Sequence, residues 1–176
     1  MNVIFIGPAG SGKSVQAERL ATELNVPHLN AGDLLYYASL GEDNEASLIR
    51  EAMEKGELVD SSIATRLLDR YFSDPAHQGG VVIDGHPRTL EEAKDLKPPI
   101  DKVINIKLSD EVVKERLSKR GRHDDKPEII QRRLDIYHEE MQPILDYYSS
   151  MGILVEIDGD RSIDEIAEDI LNTVQK

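Results

Sequence analysis

The chain contains no cysteine in its 176 residues, which excludes disulfides, thiolate chemistry and cysteine-based zinc sites and allows a reducing compartment. Its five histidines are scattered, without the clustering that a metal cage needs. No apolar run approaches the roughly 20 residues of a membrane span; the longest are of strand length, such as Val3 to Ile6. Basic residues are also in deficit, with 21 Lys and Arg against 34 Asp and Glu and a formal charge of -13. That balance repels phosphate backbones and anionic lipid headgroups over most of the surface, and so disfavours nucleic-acid and membrane partners. An anionic ligand would have to be held by a local cluster of Lys, Arg and backbone amides acting against the overall field. Met1 leads straight into a strand-like run, with no basic leader or cleavage site, and a cytoplasmic protein is expected.

What the chain does have is an even supply of core residues. Hydrophobic residues make up 39% and charged ones 31%, enough to bury a core in a single domain of this length. Short apolar runs at Val3 to Ile6, Pro27 to Leu29, Val81 to Ile83, Val103 to Ile106 and Ile153 to Ile157 alternate with helix-period stretches at about 14–24, 62–72, 110–119, 127–149 and 162–174. Asp110 and Ser162 read as N-caps, and Pro127 followed by Glu128 as a first helical turn. The alternation predicts an α/β fold, a five-stranded parallel sheet with Val3 to Ile6 at its centre and helices on both faces. Residues 31–60 break the rhythm, being helical, charge-rich and punctuated by Gly41 and Gly56, and predict a small helical lobe. Lys119 to Lys126 holds Arg120, Arg122, Asp124 and Asp125 between two helices, and by composition alone such a charge run is solvated surface.

The run Gly7-Pro8-Ala9-Gly10-Ser11-Gly12-Lys13-Ser14 matches the pattern G-x-x-x-x-G-K-S/T, directly after a strand-like run and directly before a helical stretch. The glycines let the backbone wrap closely round phosphate oxygens, and the amides and helix N-terminus supply positive potential. Lys13 adds a point charge and Ser14 offers a hydroxyl to Mg²⁺. With both flanks as required, nucleotide binding is favoured over a glycine-rich turn that holds nothing. Asp84 ends the run Val81 to Ile83. A parallel sheet would bring that strand end beside the phosphate loop, placing a carboxylate for a metal shell, although an Asp there also serves as an ordinary turn or cap residue. Arg88 follows past Gly85 and Pro87 and would project over the same crevice.

Taken together the sequence resembles the adenylate kinase family of nucleoside monophosphate kinases. Four blocks carry the likeness: Gly7 to Ser14 with Gln16; Gly32-Asp33-Leu34-Leu35; Asp84-Gly85-His86-Pro87-Arg88-Thr89; and Arg116 with Arg120, Gly121, Arg122, Asp124, Asp125 and Arg133. The resemblance covers nearly the whole chain. It implies a P-loop NTPase-type core at 1–29, 61–118 and 127–176, a monophosphate-binding lobe at about 30–60, and a short lid at about 119–126 without an inserted zinc or β domain. It implies ATP as donor, a nucleoside monophosphate as acceptor, Mg²⁺ carried as Mg-ATP, no zinc, and a monomer. Gly7, Gly10, Ser11, Gly12, Lys13, Ser14 and Val15 would hold the donor with Arg116, and Ser14 and Asp84 would serve the metal. Ala31, Gly32, Tyr36, Glu57, Val59, Gly85, Arg88 and Glu92 would bind the acceptor. In catalysis Lys13 would hold the donor phosphates and Arg88 grip the acceptor phosphate, while Arg116, Arg120, Arg122 and Arg133 would converge on the transferred phosphoryl group, with Asp124 and Asp125 orienting the lid arginines. Phosphoryl transfer asks a protein chiefly to align two anions and neutralise the charge on the equatorial oxygens. No general base is needed, because the acceptor phosphate is already ionised.

The chain departs from the family pattern at four places. Ser14 and Val15 stand where Gly and Thr commonly follow the loop lysine, and Ser14 restores the general phosphate-loop form. Asn30-Ala31-Gly32-Asp33 replaces a Ser-Thr or Ser-Ala block, and Ala31 lacks a hydroxyl near the acceptor base. Tyr36 takes the place of an arginine that clamps the acceptor phosphate, and such a charged hydrogen bond is worth about 1.5–3 kcal/mol, or roughly ten- to hundredfold in affinity. Glu92 replaces a glutamine that reads adenine; an ionised carboxylate only accepts, which suits guanine's adjacent donors or one exocyclic amine. AMP is the first acceptor expected, with GMP, CMP or UMP as alternatives. A regulatory nucleotide-binding module with a decayed acceptor site is the second class of reading, against which stand Lys13, Asp84, Arg88 and the full lid arginine set. His86 and His138 are expected to pack or to face solvent.

Overall fold

The five apolar runs become five parallel strands in the computed structural model, which describes residues 1–77, 79–121 and 125–175. The strands β1 (Asn2–Ile6), β2 (His28–Asn30), β3 (Val81–Asp84), β4 (Lys102–Lys107) and β5 (Leu154–Asp158) lie in the order β2-β3-β1-β4-β5. The strand that leads into the glycine-rich loop is therefore central, as expected. Among the described residues the helices are α1 (Lys13–Leu24), α2 (Ala31–Ser39), α3 (Asn44–Lys55), α4 (Ser61–Phe72), α5 (Leu90–Asp95), α6 (Asp110–Arg120), α7 (Pro127–Ser150) and α8 (Ile163–Val174).

Parallel neighbours require crossovers, and the crossovers here put helices on both faces, so the inner strands β1, β3 and β4 are buried on two sides and largely apolar, while the edge strands β2 and β5 are only partly buried and carry polar residues. Successive residues of β1 alternate between the faces. Val3 and Phe5 join Ala17, Leu20, Ile166 and Ile170 of α1 and α8. Ile4 and Ile6 join Leu68, Ala93, Ile144 and Tyr148 of α4, α5 and α7. The same strand ends set the site, for in register Phe5 and Asn30 both lie beside Asp84.

Local capping explains most boundaries. α8 opens on a capping box, in which Ser162 Oγ accepts from the Glu165 amide (3.3 Å) and Glu165 Oε2 from the Ser162 amide (3.0 Å). α6 corrects the expectation for Asp110: the cap is Ser109, whose Oγ accepts from the Val112 amide at 3.4 Å. With the hydroxyl one residue earlier doing the capping, Asp110 falls in the first turn, where its charge complements the helix dipole, and its carboxylate meets His138 Nε2 at 2.9 Å. The six residues of α5 were not among the expected helices, being too short to show a period; Thr89 Oγ1 caps them through the Glu92 amide at 3.2 Å.

The irregular stretch at 31–60 consists of α2 and α3. Leu35, Ile49 and Val59 form a small core with Ile63 and Leu67 of α4. Arg50 of α3 donates to the Ser39 carbonyl and to that of Gly41 (2.9 Å), closing the end of α2 against α3, and Glu45 pairs with Arg66 of α4. α3 stops at Gly56 in the left-handed region (φ 68°), where a side chain would lie 2.8 Å from Ile129 of α7. No helix among the described residues is long and apolar enough to cross a membrane.

Candidate functional site

The loop between β1 and α1 takes a path that glycine alone makes easy. Gly7 has φ 147°, and a Cβ there would sit 2.6 Å from the Ile106 carbonyl oxygen of β4. Gly12, at φ 87°, precedes α1 and provides no side-chain cap, so the first amides of that helix point into the open cleft above the loop. The side chain of Lys13 curls back so that Nζ donates to the Pro8 carbonyl at 3.4 Å.

The cleft has a volume of about 1010 Å³. Gly7, Gly10, Gly12, Lys13, Ser14 and Val15 line its floor, with Asp84, Gly85 and Arg88 from the end of β3. Gly32, Tyr36, Glu57 and Val59 line one wall, and Arg116, Arg120 and Arg133 the other. Ser11 lies beneath the surface, 2% exposed. Ala31 and Glu92 line a small adjoining cavity of about 20 Å³ that shares Val59, Gly85, His86 and Arg88 with the cleft. Arg122 and Asp124 lie outside the described residues.

Five cations thus converge in a chain of charge -13. The electrostatic cost shows at the floor: burial pushes the Lys13 ammonium below its ordinary pKa, Asp84 opposes this, and Arg88, Arg120 and Arg133 lower it further. Burial likewise lowers Arg88, against the pull of Glu92 and with the push of Arg133. Such a cluster is stabilised by an anion. The arginines are also braced by protein groups. Arg120 grips Asp125 through Nε to Oδ2 (2.8 Å) and Nη2 to Oδ1 (2.5 Å), a two-pronged bond to a side chain only 1% exposed that a solvated charge run would not make. Arg116 Nη2 donates to the Gly159 carbonyl at 3.1 Å, beside Asp160.

Asp84 is 1% exposed. Its Oδ2 accepts from Asn30 Nδ2 at 2.9 Å, while Oδ1 is buried without a hydrogen-bond partner. His28 Nε2, likewise buried and unpartnered, stands 4.0 Å from Oδ2. A buried carboxylate oxygen left unsatisfied on the wall of an anion site fits a hard cation or its water, as does the Ser14 hydroxyl nearby. Among the described residues no group of three or more His, Asp or Glu could hold a metal by itself.

Glu92 differs from the simple picture of a base-reading side chain. It is 4% exposed, and its Oε2 accepts from the Arg88 amide at 2.7 Å with His86 Nδ1 at 3.2 Å from the same oxygen. His86, also 4% exposed, is therefore neither surface nor merely packing: it partners the acid that holds the backbone of Arg88. Burial pushes the Glu92 carboxyl up, but His86 and Arg88 outweigh it and the net displacement is downward. The unfolded chain then binds the proton more readily than the folded one. The stabilisation is fully present above the ordinary value of 4.5 and is lost as the pH falls below it, through the lower folded value. Glu92→Gln should be less stable than the parent near neutrality, with a gap in thermal midpoint that narrows below about pH 4.5; a gap that stays constant would show that the charge contributes nothing.

A phosphate loop after the central strand of a doubly wound parallel sheet, opening on a cationic cleft, defines a nucleotide-binding protein of the P-loop class. The family model described as adenylate kinase matches residues 5–153. The chain is 36% identical to an adenylate kinase of Corynebacterium urealyticum, with the whole of each chain covered. It is 39% identical to one of Prochlorococcus marinus, over 94% of this chain and 92% of that one. It is 33% identical to one of Methanosarcina mazei, over 100% and 99%. The chain belongs to the adenylate kinase family and is a nucleoside monophosphate kinase, not a regulatory module.

Among the side chains at the site that were outside the sequence-derived set are His28 and Asn30. The available signal was positional: both fall in the strand next to the one that ends in Asp84, but only the strand register reveals that they face it.

Proposed function

We propose that the enzyme transfers the terminal phosphoryl group of Mg-ATP to AMP, yielding two ADP, and that it acts as a monomer in the cytoplasm. The observation that carries this reading is the convergence of Lys13, Arg88, Arg116, Arg120 and Arg133 on one cleft of an otherwise acidic protein. Residues 30–60 form the acceptor lobe and 119–126 the lid, on a core of 1–29, 61–118 and 127–176. The loop amides and Lys13 bind the donor phosphates, with Arg116 at the donor side. Arg88, held by its Nε bond to the Gly85 carbonyl at 2.8 Å, binds the acceptor phosphate. Arg120 and Arg133, with Arg122, neutralise charge on the phosphoryl group in flight, and Asp124 and Asp125 orient them. Ser14 and Asp84 would hold Mg²⁺, which when bound screens the donor phosphates from the attacking anion. An oxygen of the AMP phosphate forms the new bond to phosphorus as the bond to the ADP leaving group breaks, and the enzyme's own groups align the two.

Initial rates with Mg-ATP and each of AMP, GMP, CMP and UMP test the reading. AMP should give the highest kcat/KM; preference for another monophosphate would replace the acceptor, and no turnover with any would remove the assignment. Tyr36, half exposed on the acceptor wall, brings no charge to a site that handles phosphate. Tyr36→Arg should therefore lower KM for AMP about tenfold, leaving kcat within about twofold, because it adds a ground-state contact. An unchanged KM would mean that the other cations already saturate the acceptor phosphate.

A further inference from the structure

Asn30 closes β2 and opens α2, and its side chain serves both. Oδ1 accepts from the Asp33 amide at 3.0 Å, the N-cap bond of α2. Nδ2 donates to Asp84 Oδ2 at 2.9 Å and lies 3.5 Å from Ser14 Oγ. The amide's orientation is not interchangeable, since the Asp33 N–H demands an acceptor on its side. Glycine at position 32 leaves room for this arrangement: a Cβ there would stand 3.1 Å from Asn30 Oδ1. The parallel register sets Asn30 directly beside Asp84, so the two side chains leave the sheet on the same side.

Four side chains are strongly favoured at helix N-caps: Ser, Thr, Asp and Asn. All four can accept from the helix, but only Asn carries its acceptor and its donor on separate atoms. A serine is too short to span to Asp84 while capping, and an aspartate would face it with a second negative charge. The amide donor is also neutral, so it fixes the carboxylate without cancelling the charge that attracts a cation, as a lysine or arginine would. One oxygen of Asp84 is thereby clamped, and the other is the buried, unpartnered Oδ1.

We infer that Asn30 is a positioning residue for metal binding: its amide nitrogen, within reach of Ser14 Oγ, clamps Oδ2 of Asp84 and so leaves the unpartnered Oδ1 to serve Mg²⁺. The inference rests on the proposed assignment of Ser14 and Asp84 to the ion. It assigns to the cap of α2 a task that capping alone does not require.

Calorimetry of an analogue joining two adenosines through a phosphate chain, with Mg²⁺ and with EDTA, tests it without reference to turnover. The readout is the factor by which Mg²⁺ tightens binding. Asn30→Ser retains a capping oxygen and loses the amide donor; its Mg²⁺ factor should fall about five- to tenfold while the Kd in EDTA changes less than about twofold. Asn30→Asp retains the cap and the length but puts a second carboxylate against Asp84, so its Kd in EDTA should weaken and its Mg²⁺ factor should rise above the parent's. Opposite movement of the two variants supports the inference. If Asn30→Ser weakens binding equally in both conditions, or Asn30→Asp behaves like the parent, Asn30 is a cap alone and the inference fails while the metal assignment stands. If the parent's own affinity is indifferent to Mg²⁺, the metal assignment fails and takes the inference with it.

Discussion

Replacing Lys13 with alanine is expected to reduce turnover by about 10²–10³-fold, the usual cost of deleting a preorganised charge from a site where negative charge develops. The same change should leave the thermal midpoint level or raise it. In the folded protein Lys13 is held where burial and three arginines disfavour its charge, against the attraction of Asp84, and its Nζ gains only a long bond to the Pro8 carbonyl. A group whose pKa is lowered on folding costs stability at pH values below its ordinary 10.5, neutral pH included. Alanine relieves that cost, whereas ligand phosphates repay it in the parent. The two halves of the prediction separate cause from damage: kcat at saturating ATP and AMP, and unfolding without ligand. Near-parental turnover would remove Lys13 from the site, and a large fall in midpoint would make it a structural residue.

Arg88→Ala is expected to lower kcat/KM for the acceptor by about 10²-fold or more while KM for ATP stays within about threefold. Arg88 is braced three ways: its amide donates to Glu92, its Nε to the Gly85 carbonyl, and Glu92 is itself held beside His86. That bracing leaves the rest of the guanidinium fork directed at the cleft. Arg88→Lys should recover little, since an ammonium cannot hold Gly85 and present a planar fork together. Equal losses for ATP and AMP would place Arg88 at neither substrate in particular and would argue against its assignment to the acceptor side.

How much of this was legible beforehand differs from residue to residue. The strands and the long helices were plain because apolar periodicity and capping residues act within a few positions, as at Ser162, and because a strand buried on both faces must be apolar throughout. The phosphate loop was equally plain: Gly7, Gly10 and Gly12 with Lys13 and Ser14 encode a backbone path and a charge in eight consecutive residues. α5 was missed because six residues carry too little pattern, and Ser109 displaced Asp110 because two adjacent side chains could both cap and geometry chose between them.

What belongs to the sequence by itself is therefore the local chemistry: which residues form strands and helices, which loop holds phosphate, and which cations accompany it. What only the tertiary structure decided is the pairing of distant groups. Glu92 turns to His86 and the Arg88 amide rather than standing free to read a base; Arg116 reaches the Gly159 carbonyl; Asn30 meets Asp84 across 54 positions of chain. These contacts depend on strand register and on rotamers chosen among competing partners. A shift of a single residue in the β2–β3 register would turn Asn30 to the opposite face. Such choices are made by the packed core as a whole, and no short window of sequence contains them.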